Sequence, residues 1–270
     1  MEVHSNGCTF RCSLEGRASA PLITLSHGLA TDMTIWGDLV PLLTPRYRVL
    51  RYDSRGHGGS AATGGDYSLA MLEDDVIGIL DALDLAKTHF VGLSMGGMVG
   101  LGLALARPKR VASVAVCDAR GSAPAEYRAA WTDRSQKVRD DGIEAMVEPS
   151  VTRWFTPGFQ RTNPQAIERT RNMVRRTSAD GYCRSAAALR ELDYERRLPD
   201  VVVPMLFMTG SGDQGAPPAV IRAMQAKAPG SRYVELPDAG HISVMEQPVL
   251  FAQALLEFVD SIEVRSTSAA

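Results

Sequence analysis

Short apolar and β-branched runs alternate with stretches of helical periodicity along most of the chain. Residues 9–14 belong to an antiparallel hairpin near the start. Residues 21–26, 47–52, 88–92, 111–116, 203–208 and 231–236 read as strands buried in a sheet. Between them Leu69, Leu72, Val76, Ile79, Leu80 and Leu83 recur at three- and four-residue spacing, which predicts a helix with one apolar face. Leu250, Phe251, Ala254, Leu255 and Phe258 repeat that pattern near the C-terminus. Strand and helix alternating in this way predict the α/β class, a mostly parallel central sheet with helices on both faces.

The alternation stops between about residues 121 and 198. No strand pattern occurs there, and charged helical patterns are broken by Gly142, Pro149, Pro157 and Pro164. The stretch is too long for a loop inside a compact domain, so a helical insertion is expected. Placed after a sheet strand, an insertion can cover the strand ends where sites in such sheets lie. The expected organisation is a core of residues 1–120 and 199–270, with residues 121–198 forming a helical cap.

Composition narrows the possible partners. Hydrophobic residues make up 45% of the chain and its formal net charge is -2, so nothing favours nucleic acid or an anionic membrane. No run approaches the roughly 18–20 apolar residues of a membrane helix, and no basic segment precedes an apolar one at the N-terminus. A soluble, cytoplasmic protein is expected. Cys8, Cys12, Cys117 and Cys183 form neither a disulfide framework nor a zinc pattern, and they read as partly buried thiols. No metal and no cofactor are expected. The tail from Arg265 to Ala270 is polar and small, and should fray.

The candidate chemistry begins at Gly92-Leu93-Ser94-Met95-Gly96. G-x-S-x-G alone is a weak pattern, but here an apolar strand precedes it and a helix rich in Leu and Ala follows. In that context Ser94 occupies a tight strand-to-helix turn, with Gly92 and Gly96 removing side chains that would collide. A serine hydroxyl needs a base to take its proton. Of the five histidines, His241 follows the last strand and precedes the final helix, where a loop can hold an imidazole above the sheet. His27 directly follows a strand and reads as structural. The third member must be an acid that fixes the histidine tautomer. Asp213 follows the strand at 203–208, and Asp118, after the strand at 111–116, is the competitor. Asp53 ends a strand too, but the glycine-rich turn behind it points to a carboxylate that binds backbone amides. Donors for an oxyanion are expected from the backbone N–H groups of Met95 and Leu29.

His27-Gly28-Leu29, the segment from Tyr52 to Ser60, Gly92 to Gly97 and Gly240-His241 together resemble the α/β-hydrolase superfamily over nearly the whole chain. The segments Arg153-Trp-Phe-Thr-Pro157, Thr177 to Tyr182 and Ala186 to Arg190 are similar to those of the 3-oxoadipate enol-lactonases. The resemblance implies Ser94, Asp213 and His241 as a catalytic triad, with Trp154 in the pocket. It differs from those enzymes at His27-Gly28, where many have Asn-Ser, and at Tyr182 to Ser185. The implied substrate is a lactone or small ester, 3-oxoadipate enol-lactone in particular. Its carboxylate would need a cation in the pocket, and Arg153 and Arg190 are the candidates. A general carboxylesterase, and a cofactor-free perhydrolase or haloperoxidase, could use the same triad. A non-catalytic ligand receptor fits a complete triad poorly.

Overall fold

The computed structural model describes residues 1–268. Its strands are β1 (Glu2–Ser5), β2 (Cys8–Glu15), β3 (Leu22–Ser26), β4 (Arg48–Tyr52), β5 (Thr88–Leu93), β6 (Val111–Cys117), β7 (Met205–Gly210) and β8 (Arg232–Leu236). They form one sheet in the order β1-β2-β4-β3-β5-β6-β7-β8. β1 and β2 are an antiparallel hairpin turned by Asn6 and Gly7, both at positive φ, the geometry a two-residue hairpin loop requires. β2 pairs antiparallel with β4, and the pairs from β4 through to β8 are all parallel.

Every residue of β3, β5 and β7 is buried, as expected of strands covered on both faces. The strand at 203–208 starts two residues later than its apolar run suggested. Pro204 has no N–H to give a ladder, and only its carbonyl is used, accepting from the Val114 N–H at 3.0 Å. Cys8 and Cys12 are buried free thiols on β2.

The helices of the core are α1 (Val40–Leu43), α2 (Leu69–Ala82) and α3 (Met95–Ala106), then α9 (Pro218–Gln225), α10 (Ser243–Glu246) and α11 (Pro248–Ser268). α2 starts where the Ser68 hydroxyl accepts the Met71 N–H, and it buries the Leu69, Leu72, Val76, Ile79 and Leu80 face read from the sequence. α3 is buried from Met95 to Ala104, lying between the sheet and α2. The tail expected to fray is helical in backbone as far as Ser268; Ala269 and Ala270 lie outside the described residues.

Between β6 and β7 the chain forms α4 (Ala125–Asp141), α5 (Val147–Trp154), α6 (Pro157–Thr162), α7 (Pro164–Arg176) and α8 (Ala179–Arg190). Prolines open α6 and α7, where a missing N–H costs nothing. The two ends of this helical insertion are tied together. Ser122 bridges Asp193, and the Gly121 carbonyl accepts the N–H groups of Tyr194 (2.8 Å) and Glu195 (2.9 Å). Its far side sits on the core through a backbone-to-backbone contact. A Cβ on Gly56, which has φ +75°, would stand 2.5 Å from the Gly181 Cα. No helix among the described residues is long and apolar enough to cross a membrane.

Candidate active site

Ser94 stands between β5 and α3 at φ 54° and ψ -114°, a strained conformation for a residue with a side chain. The turn is possible because its neighbours are bare. A Cβ on Gly92 would lie 2.0 Å from the Gly96 carbonyl oxygen, and one on Gly96 would lie 2.2 Å from that of Ser26. The Ser94 N–H donates to the Cys117 carbonyl at 2.8 Å, which fixes the turn against β6.

The Ser94 hydroxyl meets His241 Nε2 at 3.0 Å. His241 Nδ1 lies 2.9 and 3.0 Å from the two carboxylate oxygens of Asp213. Asp213 follows β7 and its Oδ1 also accepts the N–H groups of Gly215 (2.7 Å) and Ala216 (3.1 Å), so the carboxylate is fixed before it reaches the imidazole. Burial would lower the His241 pKa, but the Asp213 charge and hydrogen bond outweigh it and hold the imidazole above its ordinary value. With Asp213 on Nδ1 and Ser94 on Nε2, neither ring nitrogen is left for Asp118. That acid is fully buried, accepts the Gly210 N–H (2.9 Å) and the Ser243 hydroxyl (2.5 Å), and has its pKa pushed up to about 8 by burial and by the Asp213 charge.

The loop after β3 closes on Ser94. A Cβ on Gly28 would sit 3.2 Å from that of Ser94, so Leu29 follows immediately beside Ser94, and Met95 is the first residue of α3. His27 props this loop. Its Nε2 accepts the Ser54 N–H at 2.9 Å, which puts the ring proton on Nδ1, where it donates to the Gly28 carbonyl at 2.7 Å. Burial lowers the His27 pKa and keeps the ring neutral for that role. Asp53 accepts the N–H groups of Met33 (2.7 Å) and Gly59 (2.8 Å), the backbone-binding carboxylate expected of it.

A cavity of about 240 Å³ opens onto Ser94 and His241. Leu29, Arg153 and Trp154 line it. Trp154 also holds the His241 backbone, because its carbonyl accepts the His241 N–H at 2.8 Å. Arg190 does not reach the cavity. It bonds Thr132 on α4 at 3.1 Å and lines a separate groove with Arg139 and Arg184, because its position on α8 faces outward from the site. Tyr127, Trp131 and Arg134 of α4 line the cavity and were not anticipated, although their spacing of four and three residues places them on one helix face. Arg120, just past β6, was missed as well. Among the described residues no group of three or more His, Cys, Asp or Glu side chains could hold a metal.

Residues 21–248 match the family model described as the alpha/beta hydrolase fold. The chain belongs to that family, and it is an ester-hydrolysing enzyme of it. It is 34% identical to 3-oxoadipate enol-lactonase 2 of Acinetobacter baylyi, over 94% of this chain and 92% of that protein. The enol-lactonase of Burkholderia xenovorans LB400 superposes with a TM-score of 0.92 at 34% identity, covering 96% of this chain and all 100% of that one. A thermophilic esterase from Thermogutta terrifontis, solved with malate bound, gives a TM-score of 0.92 at 28% identity over 97% and 99% of the two chains.

Proposed function

We propose that Ser94, His241 and Asp213 act as nucleophile, general base and orienting acid in hydrolysis of a carboxylate-bearing lactone, 3-oxoadipate enol-lactone or one like it. The observation that carries this reading is the bonded line Ser94–His241–Asp213 at the floor of a cavity that Arg153 also lines. Similarity to enol-lactonases along nearly the whole chain supports it.

The geometry supports the following course. His241 Nε2 takes the Ser94 proton as Oγ attacks the lactone carbonyl. The developing oxyanion is met by the backbone N–H groups of Met95 and Leu29. The imidazolium, stabilised by Asp213, then protonates the departing ring oxygen, which stays tethered because the leaving group belongs to the same molecule. For an enol-lactone the freed enol tautomerises to a ketone, which makes ring opening effectively one-way. Water, deprotonated by His241, releases the acyl group from Ser94. The helical insertion serves as a cap over the cavity, and Arg153 meets the carboxylate that the substrate loses water to bury.

The test is kcat/KM for 3-oxoadipate enol-lactone against uncharged lactones of equal size and p-nitrophenyl esters. A preference of about 10-fold or more for the carboxylated lactone is expected, equivalent to about 1.4 kcal/mol. Ser94→Ala and His241→Ala should each lower kcat by about 10⁴–10⁶, with the double variant little worse. Equal rates on charged and uncharged lactones would leave a general esterase as the better description.

A further inference from the structure

The cavity holds more positive charge than one substrate carboxylate requires. Arg120, Arg134 and Arg153 all line it, whereas the acids on its wall are Glu126, which is exposed, and Asp118, whose pKa is raised by burial and by the Asp213 charge. Several exposed or half-exposed arginines of the insertion are paired with carboxylates. Arg171 is 2.7 Å from Glu148, Arg175 is 3.1 Å from Glu144, and Arg176 is 2.6 Å from Asp32. Among the described residues none of the three cavity arginines has a carboxylate within ion-pair distance. They rest instead on aromatic faces, with Arg120 5.2 Å from the Tyr127 ring centre, Arg134 4.8 Å from that of Trp131 and Arg153 5.9 Å from that of Trp154.

One donor in the same wall, Arg120 Nε, is buried without a hydrogen-bond partner. Arg153 feels the crowding directly, since burial and then the Arg134 charge push its pKa down to about 10. Unpaired guanidinium groups brought together away from water are costly unless a ligand supplies the missing acceptors. The wall is rich in donors and poor in acceptors, so it suits an anion with several oxygens.

We infer that the wall of Arg120, Arg134, Arg153 and Trp131 binds short dicarboxylates, and so holds the opened acid more tightly than the lactone. This rests on the proposed reading of the Ser94 cavity as the lactone site. Hydrolysis of a carboxylated lactone adds water, frees an alcohol or enol and creates a second carboxylate. The ligand therefore goes from one negative charge to two within a cavity of fixed positive charge, and Coulomb attraction favours the dianion. Product release limits turnover, and aliphatic dicarboxylates of similar length compete with substrate.

Isothermal titration calorimetry of the intact protein at pH 7.5 and constant ionic strength tests this, with glutarate and adipate set against butyrate and hexanoate. The dicarboxylates should bind about 10-fold or more tightly than the monocarboxylates, and weaken as sodium chloride is raised. Arg120→Met/Arg134→Met should abolish that preference. Arg171→Ala, at an ion pair outside the cavity, should leave it intact and leave ester turnover unchanged. Equal affinity for mono- and dicarboxylates, no binding of either, or a preference that survives the double substitution would overturn the inference. Should the double variant not fold, the wild-type affinity ratio and its salt dependence decide alone. Inhibition of neutral p-nitrophenyl ester hydrolysis separates the two readings. Turnover of that ester without dicarboxylate inhibition removes this inference and leaves the hydrolase standing. Dicarboxylate binding without preference for the enol-lactone removes that substrate and leaves the anion wall.

Discussion

Two buried acids end adjacent parallel strands, and only one of them can serve His241. Asp213 spends both oxygens on the imidazole and one also on backbone N–H groups, whereas Asp118 is turned to Gly210 and Ser243. Asp213→Asn should lower kcat by about 10³–10⁴, because an amide facing Nδ1 favours the wrong tautomer. Asp118→Asn replaces a group whose pKa burial and the Asp213 charge already raise, and its amide can still accept from Gly210 and donate to Ser243, so a loss within about 10-fold is expected. Steady-state kinetics on one ester, with circular dichroism to confirm folding, decides; the reverse ranking would move the acid to β6. Chain order and strand ends were enough to place Ser94, His241 and Asp213 together from sequence. The roles of Arg153 and Arg190 could not be separated that way. Both are arginines on insertion helices, and which faces the cavity depends on how α5 and α8 are rotated against the core.

At the level of elements, the loop carrying His241 is built against the insertion. The N–H groups of His241 and Ile242 donate to the Trp154 carbonyl, at 2.8 and 3.3 Å. Glu246 on α10 fastens the same junction. Its carboxylate accepts the Gly240 N–H (2.7 Å), the Thr156 hydroxyl (2.6 Å) and the Thr156 N–H (3.2 Å). Glu246 thus acts as a positioning residue for His241 and for the turn between α5 and α6. Glu246→Ala should reduce kcat by about 10-fold or more, as expected when a reacting group is displaced. It should also move the acidic limb of the kcat/KM profile down, toward the roughly 6.5 of a free imidazole, because His241 would lose part of its alignment with Asp213. Glu246→Gln, which keeps one acceptor for Gly240, should recover part of both effects. A lowered Tm with the limb unmoved would reduce Glu246 to a structural bond. None of this was legible in the sequence, where Glu246 is one acid on a short helix and its partners lie 6 and 90 residues away.

Over the whole molecule, hydrophobic patterning was sufficient for the class of fold, and its break after residue 121 falls where helices replace the strand-helix alternation. The strand order was not contained in it, since pairing of β3 with both β4 and β5 joins residues far apart in sequence. Nor were the bonds that hold the insertion down. One of these crosses from the core helix α2, where Glu73 is 5% exposed and accepts the Tyr194 hydroxyl at 2.5 Å, on the return limb of the insertion. The space for it is provided by Gly102, where a Cβ would overlap the Glu73 Oε1. Burial raises the Glu73 pKa from 4.5 to about 7, against the opposing pull of Tyr194 and Arg107. A raised pKa in the folded state means that the native protein holds this proton more firmly than the unfolded chain does. Its contribution to stability is therefore complete below about pH 4.5 and is lost as the pH rises through about 7, up to roughly 3 kcal/mol at 1.36 kcal/mol per unit. Glu73→Gln has no proton to lose and its carbonyl oxygen can still accept from Tyr194. Between pH 5 and pH 8 the wild-type Tm should consequently fall by about 5 °C more than that of the variant. Parallel Tm curves for the two proteins over that range would mean that the carboxyl is ionised in the fold throughout, and that its bond to Tyr194 does not report on pH.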